Sequence, residues 1–247
     1  MAMMLLYRAT TLNKFNRIIH QTFKNQNLPE ELKGWVEELK SRNPEFEYRF
    51  YNDEDCINFI KDNYDEETLN EYLSINPSYG SCRADYFRYL LMYKVGGVYL
   101  DIKSFANTPL KYIIKPTDEY ILTHWEGRDW SEELNYYHGE FQNWQIISVP
   151  GHPFLKKTIE MIKENIKNYK GEMGKQSVLR LTGPIVYSKA ILSLLDKHKI
   201  DSPESPVREF KISEELGMTY RISLKHQHLI YGHNASEDEP IILKKTK

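Results

Sequence analysis

Apolar and polar positions along this 247-residue chain follow two alternating rhythms. Residues 16–23 (NRIIHQTF) predict a first strand that runs into a loop. Residues 29–42 predict a helix with Pro29 near its first turn, where the missing N–H costs nothing. Asn43-Pro44 ends that helix, because the residue before a proline is pushed out of the helical region. Residues 46–51 (FEYRFY) alternate and predict a second strand. Asn52 or Asp53 caps a helix running to about residue 63, and residues 64–76 predict a further short helix ended by Asn76-Pro77. Strand, helix, strand and helix in succession predict an α/β fold with a mostly parallel sheet covered on both faces.

The next stretch, residues 79–107, concentrates pattern and chemistry. Ala84, Phe87, Leu90, Leu91 and Val95 recur at helical spacing and predict one apolar face on a helix over 83–94. Asp85 and Arg88 lie three apart, as neighbours near the helix start. Such a position predicts a binding role for Arg88 rather than a core role. Gly96-Gly97 ends the helix, since glycine adopts a left-handed cap without a Cβ clash. Residues 98–100 predict a short buried strand with Asp101-Ile102-Lys103 at its C-terminal end, where open α/β sheets bind ligands. In an extended segment Asp101 and Lys103 point to the same face.

Beyond it, strands are expected over 120–125 and 143–149. A polar and aromatic loop over 127–139 is expected to lie above the site. Helices are expected over 151–170 and 185–197, the second opened by Thr182-Gly183-Pro184, in which a Thr cap and a first-turn proline are good helix-start chemistry. Short strands are expected near 207–210 and 220–223.

Composition narrows this picture modestly. With 40% hydrophobic and 28% charged residues the chain is an ordinary globular one, long enough for one large domain or two small ones. A net charge of −2 makes no demand for nucleic acid or an anionic membrane. Cys56 and Cys82 form neither a disulfide framework nor a metal spacing, which fits a reducing compartment. The apolar run over 3–6 is too short for a leader core or a membrane span. The 18 tyrosines could line a sugar or base pocket or fill the core. Asp53, Glu54 and Asp55 are read as first-turn acids serving a helix dipole. His226, His228 and His233 could ligate a metal or stand exposed.

The block RADYFRYLLM followed by GGVYLDIK closely resembles the centre of the sugar transferases with a DXD motif, in particular glycosyltransferase family 32, whose core the glucosylating toxins share. Residues 17–23 resemble that family's opening segment, with Phe23 in the usual Trp place. Asn143 and Ile146 resemble its Asn-x-x-Ile block, and Thr182-Gly183-Pro184 a block near the acceptor side. The resemblance implies a single GT-A type Rossmann-like α/β/α domain over 1–247 and a retaining hexosyltransferase.

By that match Asp85 and Arg88 hold the donor sugar, and Asp101 is the first motif Asp, near the ribose and metal. His20 and Phe23 lie beside the base, Gly97 with the donor block, Asn143 near the donor sugar, and Thr182 and Gly183 on the donor-binding side. His20 and Asn143 each have a bland alternative, a hydrogen-bonded core histidine and a turn-forming Asn. Lys103 stands where the second motif Asp belongs. Two readings follow: Mn²⁺ or Mg²⁺ held by Asp101 with one of His226, His228 and His233, or metal-independent transfer with Lys103 on the phosphates. Asp101, Lys103 and Asn143 are the catalytic candidates. The expected partners are a nucleotide-sugar donor, UDP favoured over GDP, and a glycan or other hydroxyl acceptor. No nucleic acid and no transmembrane segment are expected, and peripheral membrane contact stays open. The expected setting is cytoplasmic, in an enzyme of bacterial or viral type. The alternatives are a catalytically silent nucleotide- or glycan-binding protein, raised by Lys103, and a glycoside hydrolase.

Overall fold

The computed structural model describes residues 15–125, 134, 139–195, 205–220 and 239–243. Strands β1 (Ile18–Thr22), β2 (Glu47–Tyr51), β3 (Gly97–Leu100), β5 (Tyr120–Thr123), β6 (Gln145–Ser148) and β7 (Val207–Phe210) form one sheet in the order β2-β1-β3-β6-β5-β7. β4 (Ser104–Ala106) pairs with β8 (Met218–Tyr220) in a small second sheet. In the main sheet β2, β1 and β3 run parallel, β6 runs against β3 and β5, and β7 is parallel to β5. The sheet is therefore mostly parallel, with β6 reversed.

The helices are α1 (Glu30–Arg42), α2 (Asp53–Asn63), α3 (Glu66–Ser74), α4 (Gly80–Val95), the single turn α5 (Leu110–Ile113), α6 (Pro153–Lys167), α7 (Gly174–Leu181) and α8 (Pro184–Leu194). Their starts follow the chemistry of the sequence. Asn52 caps α2 in a reciprocal box with Asp55. Asp65 caps α3 through the Thr68 amide. α7 and β4 were not anticipated: they are short elements of eight and three residues.

Two cores flank the sheet. Tyr99, Tyr120, Leu122 and Ile146 pack with α2, α3, α4, α6, α7 and α8. Ile19, Val98, Leu100, Ile121 and Ile147 pack on the other side with Leu39 of α1, Phe105, Leu110 and Met218. α4 corrects the expectation of one apolar face. Residues 85–92 are all buried, because sheet and helices enclose it from opposite sides. The double glycine is needed twice over. Gly96 has φ +65° and Gly97 φ +101°, and a Cβ would lie 2.5 Å from the Pro150 nitrogen at Gly96 and 2.6 Å from the Ile18 carbonyl at Gly97. Among the described residues no helix is long and apolar enough to cross a membrane.

Candidate active site

β1 connects outward to β2, and the chain then returns to place β3 on β1's other side. The C-terminal ends of β1 and β3 thus flank a topological switch point. Asp101 follows β3 there. Because β6 is reversed, its N-terminal approach, carrying Asn143 and Trp144, reaches the same edge, and the Asp101 amide donates to the Trp144 carbonyl at 2.8 Å.

Arg88 is the hub. Its Nη2 lies 3.2 Å from Asp85 Oδ1 and 3.1 Å from Asp101 Oδ1. Its Nη1 donates to the Asn143 carbonyl at 2.6 Å and its Nε to the Ala84 carbonyl at 3.3 Å. The guanidinium also lies 4.8 Å from the Tyr99 ring centroid. Asn143 Nδ2 donates to Asp85 Oδ1 at 3.1 Å and to the Tyr89 hydroxyl at 2.8 Å. Thr182 Oγ1 reaches Cys82 Sγ at 3.2 Å and Asp85 Oδ2 at 3.4 Å. The Tyr99 hydroxyl donates to Asp101 Oδ1 at 3.3 Å and lies 2.9 Å from Thr22 Oγ1.

Burial sorts the two acids. The Asp85 and Arg88 side chains are 10% and 5% exposed, whereas that of Asp101 is 19% exposed. Burial pushes the Asp85 carboxyl up to about 7; Arg88, Asn143 and Thr182 pull it back and Asp101 adds to the rise. Burial also works to lower Arg88, yet Asp101, Tyr99 and Asp85 carry it above its usual range, so the guanidinium stays charged. Asp101 is the more open acid, with Oδ1 engaged by Arg88 and Tyr99.

Residues 101–104 form a turn closed by the Ser104 amide on the Asp101 carbonyl at 2.8 Å. This corrects the expected extended geometry: Lys103 does not follow Asp101 along one strand face. The turn sends Lys103 toward β8, where its Nζ lies 5.0 Å from the Tyr220 ring centroid. Burial lowers the Lys103 pKa, with Asp101 opposing and Arg88 assisting. Tyr220 also packs on Trp144 and edge-on to Trp125, with centroids 5.3 and 5.9 Å apart.

Asp85, Arg88, Asp101 and Asn143 therefore come together, with Thr182 behind them. Phe23 stands half-buried just past β1, packed near Ile102. His20 lies elsewhere. It is fully buried inside β1, with Nε2 3.0 Å from the Gly96 carbonyl and Nδ1 3.2 Å from the Tyr51 hydroxyl. Burial lowers its pKa to about 4, so the bland alternative of a core histidine describes it. Gly97 sits at the start of β3, the end opposite Asp101, and serves close packing rather than the edge. Thr182 is not the helix cap expected. Gly183 is the N-cap residue of α8 and lies where a Cβ would come within 2.8 Å of Leu179. Arg88 is mid-helix, not at the start, because α4 begins at Gly80. His226, His228, His233 and most of the expected loop over 127–139 lie outside the described residues. Tyr89, Tyr99 and Thr22 were missed. Tyr99 had a signal, since residues two apart on a strand share a face and it precedes Asp101 by two.

A divalent ion would need hard oxygen donors. The described residues around Asp101 offer one carboxylate already engaged by Arg88, with the Asp101 carbonyl taken by the Ser104 amide and by Gln21 Nε2 at 3.2 Å. Among the described residues no group of three or more His, Cys, Asp and Glu is placed to hold a metal ion. This donor set does not fit a divalent site. A groove of about 690 Å³ between α3 and α6 is lined by Glu66, Glu67, Glu71, Glu160 and Glu164 and touches none of these residues.

The polar edge around a helix Asp-x-x-Arg pair and a post-strand Asp decides the likeness. Residues 29–120 match the glycosyltransferase sugar-binding region containing DXD motif. Over 214 residues the chain is 28% identical to the Inositol phosphoceramide mannosyltransferase 2 of Schizosaccharomyces pombe, taking in 83% of this chain and 56% of the relative. It is 24% identical to an Initiation-specific alpha-1,6-mannosyltransferase of Candida albicans, over 77% of this chain and 55% of that one. The chain thus spans about half the length of these curated relatives. Among solved structures, a PaToxG Glycosyltransferase superposes with a TM-score of 0.56 at 14% identity, over 79% of this chain and 78% of that one. That likeness shows the fold, and the mostly parallel GT-A type α/β architecture implied by the DXD block is the one found.

Proposed function

We propose that this chain is a retaining glycosyltransferase that moves a hexosyl unit from a nucleoside-diphosphate sugar to a hydroxyl acceptor. The observation that carries the reading is the Arg88 hub joining Asp85, Asp101 and the Asn143 carbonyl at the switch-point edge. In this reading Asp85 and Asn143 orient the sugar hydroxyls, Arg88 fixes both acids, and Asp101 uses its open oxygen on the donor. Phe23 borders the base, and Thr182 steadies Asp85. Transfer breaks the bond from C1 to the diphosphate oxygen as the acceptor oxygen bonds to C1 on the same face. The departing phosphate oxygen accepts the acceptor's proton. Negative charge builds on that phosphate, so fixed cations beside it lower the barrier. Mannose is the sugar to test first, because the relatives are mannosyltransferases by name. A reducing, cytoplasmic setting belongs to the reading, supported by two free, buried cysteines, Cys56 and Cys82.

The test is release of nucleoside diphosphate from UDP- and GDP-sugars, each with a hydroxyl acceptor, followed by NMR of the product's anomeric centre. The expected outcome is turnover with retained configuration that disappears in Asp101→Ala. Nucleotide binding without turnover of any donor would favour the silent binding protein. Sugar release from an oligosaccharide with no nucleotide present would favour a hydrolase.

A further inference from the structure

We propose that Lys103 takes the place of the divalent ion, so that the donor's diphosphate binds this chain without metal. The inference rests on reading the edge as a nucleotide-sugar site. Three observations carry it. First, the charge balance is wrong for a cation. Asp85 and Asp101 are offset by Arg88 and Lys103, so the cluster is neutral even with both acids ionised. An Asp at 103 would make the same cluster more negative by two charges. Second, two of the three Asp101 oxygens a metal would use are engaged, which leaves it a single carboxylate oxygen. Asp101 Oδ1 serves Arg88 and Tyr99, and its carbonyl serves Ser104 and Gln21. Third, Lys103 is a half-buried ammonium that, among the described residues, no carboxylate approaches within ion-pairing distance. Its ammonium rests on the Tyr220 ring, aimed by the 101–104 turn. A half-buried cation without a counter-ion is costly unless an anion completes it. A diphosphate supplies that anion, and Lys103 acts on it as a point charge. A metal would have to enter beside this ammonium, where repulsion between the two is strong in a water-poor cleft.

Calorimetric titration of UDP and of GDP into the whole chain, in Mn²⁺ and in EDTA, tests the proposal. One nucleotide should bind with affinities in EDTA and Mn²⁺ that agree within a few-fold. Lys103→Met should weaken that binding about 10- to 100-fold in both buffers, the loss of one charge-assisted contact. Lys103→Asp should bind only when Mn²⁺ is added. Lys103→Arg should retain metal-free binding, which controls for folding, as does an unchanged melting curve in each variant. Binding by the unaltered chain that requires Mn²⁺ would overturn the proposal while leaving the donor site standing. Binding in EDTA that survives Lys103→Met would overturn it too. Failure of both nucleotides in both buffers would instead remove the reading of the edge as a donor site.

Discussion

Two arginines of this protein look alike and behave differently. Arg208 of β7 holds Asp118 through Nε at 2.7 Å and through Nη2, and its Nη2 also reaches the Ile113 carbonyl at 2.6 Å. Asp118 in turn accepts the Lys115 amide at 2.7 Å. One guanidinium meets one acid there, and the remaining bonds go to backbone. Arg88 is divided between two acids, one of them partly open with an oxygen that no described residue engages, and among the described residues the second cation, Lys103, has no carboxylate within ion-pairing distance. The first arrangement is closed and can only stabilise. Among the described residues the second leaves both an acceptor and a donor unspent, which a ligand can take up. The difference between the two polar clusters lies in what is left over, not in burial alone.

Arg88→Ala should break this contrast most severely. It leaves two acids without their shared partner, and loss of a buried partner costs about 3–5 kcal/mol. Thermal melting should show a drop of many degrees. Arg88, buried at 4% exposure, therefore carries a core role beside the binding role that its place in the sequence predicts. Arg208→Ala should cost a similar amount, about 3 kcal/mol. Where folded protein remains in that variant, nucleotide affinity measured by calorimetry should stay within about twofold of the unaltered chain, because Asp118 has no role at the edge.

Next come the buried histidines. Burial lowers His20 and His152 to about 4. Between that value and the ordinary 6.5, the unfolded chain binds protons that the folded chain refuses. Stability therefore falls as pH drops through this window, by on the order of 3 kcal/mol for each histidine. Asp85, raised to about 7, works the other way: the folded chain keeps a proton that the unfolded chain loses above its ordinary carboxylate range, so stability falls as pH rises. The melting temperature of Asp85→Asn should consequently fall more steeply on acidification than that of the unaltered chain. A parallel pair of curves would contradict the raised Asp85.

Asp101→Asn should separate stability from binding. The side chain is partly open, so melting should shift by about 1 kcal/mol or less, while donor affinity falls roughly tenfold or more. Thr182→Val should be the mildest, at about 1 kcal/mol from the lost contact to Asp85.

Much of the frame was legible from period and punctuation. The capped start of α2, the double glycine after α4 and the strand before Asp101 all stand where local chemistry puts them. What was not legible depends on partners distant in the chain. Nothing local to residues 83–95 says that Arg88 will meet the Asn143 carbonyl and Asp101, so α4 reads as a half-exposed helix rather than an enclosed one. Thr182 reads as a cap because its neighbours suit one, yet its hydroxyl is drawn to Cys82 and Asp85 across the fold. The 101–104 turn hides because Asp-Ile-Lys carries no glycine or proline to announce it. Asp85, Arg88, Asp101 and Asn143 could be picked out because they sit in contiguous blocks. Tyr89 and Tyr99 could not be told from core tyrosines by type.

The reversed strand β6 has a consequence for the connection that leads into it. Just before β6, Asn143 is pinned by Arg88 and by Asp85, while β5 is pinned by β6 and β7. The chain between Thr123 and Phe141 is thus tethered at both ends to fixed parts, through the His124–Phe141 bridge and the Gln142 amide on the Thr123 carbonyl. Exchanges between those two anchors leave the anchors themselves where the sheet and Arg88 hold them.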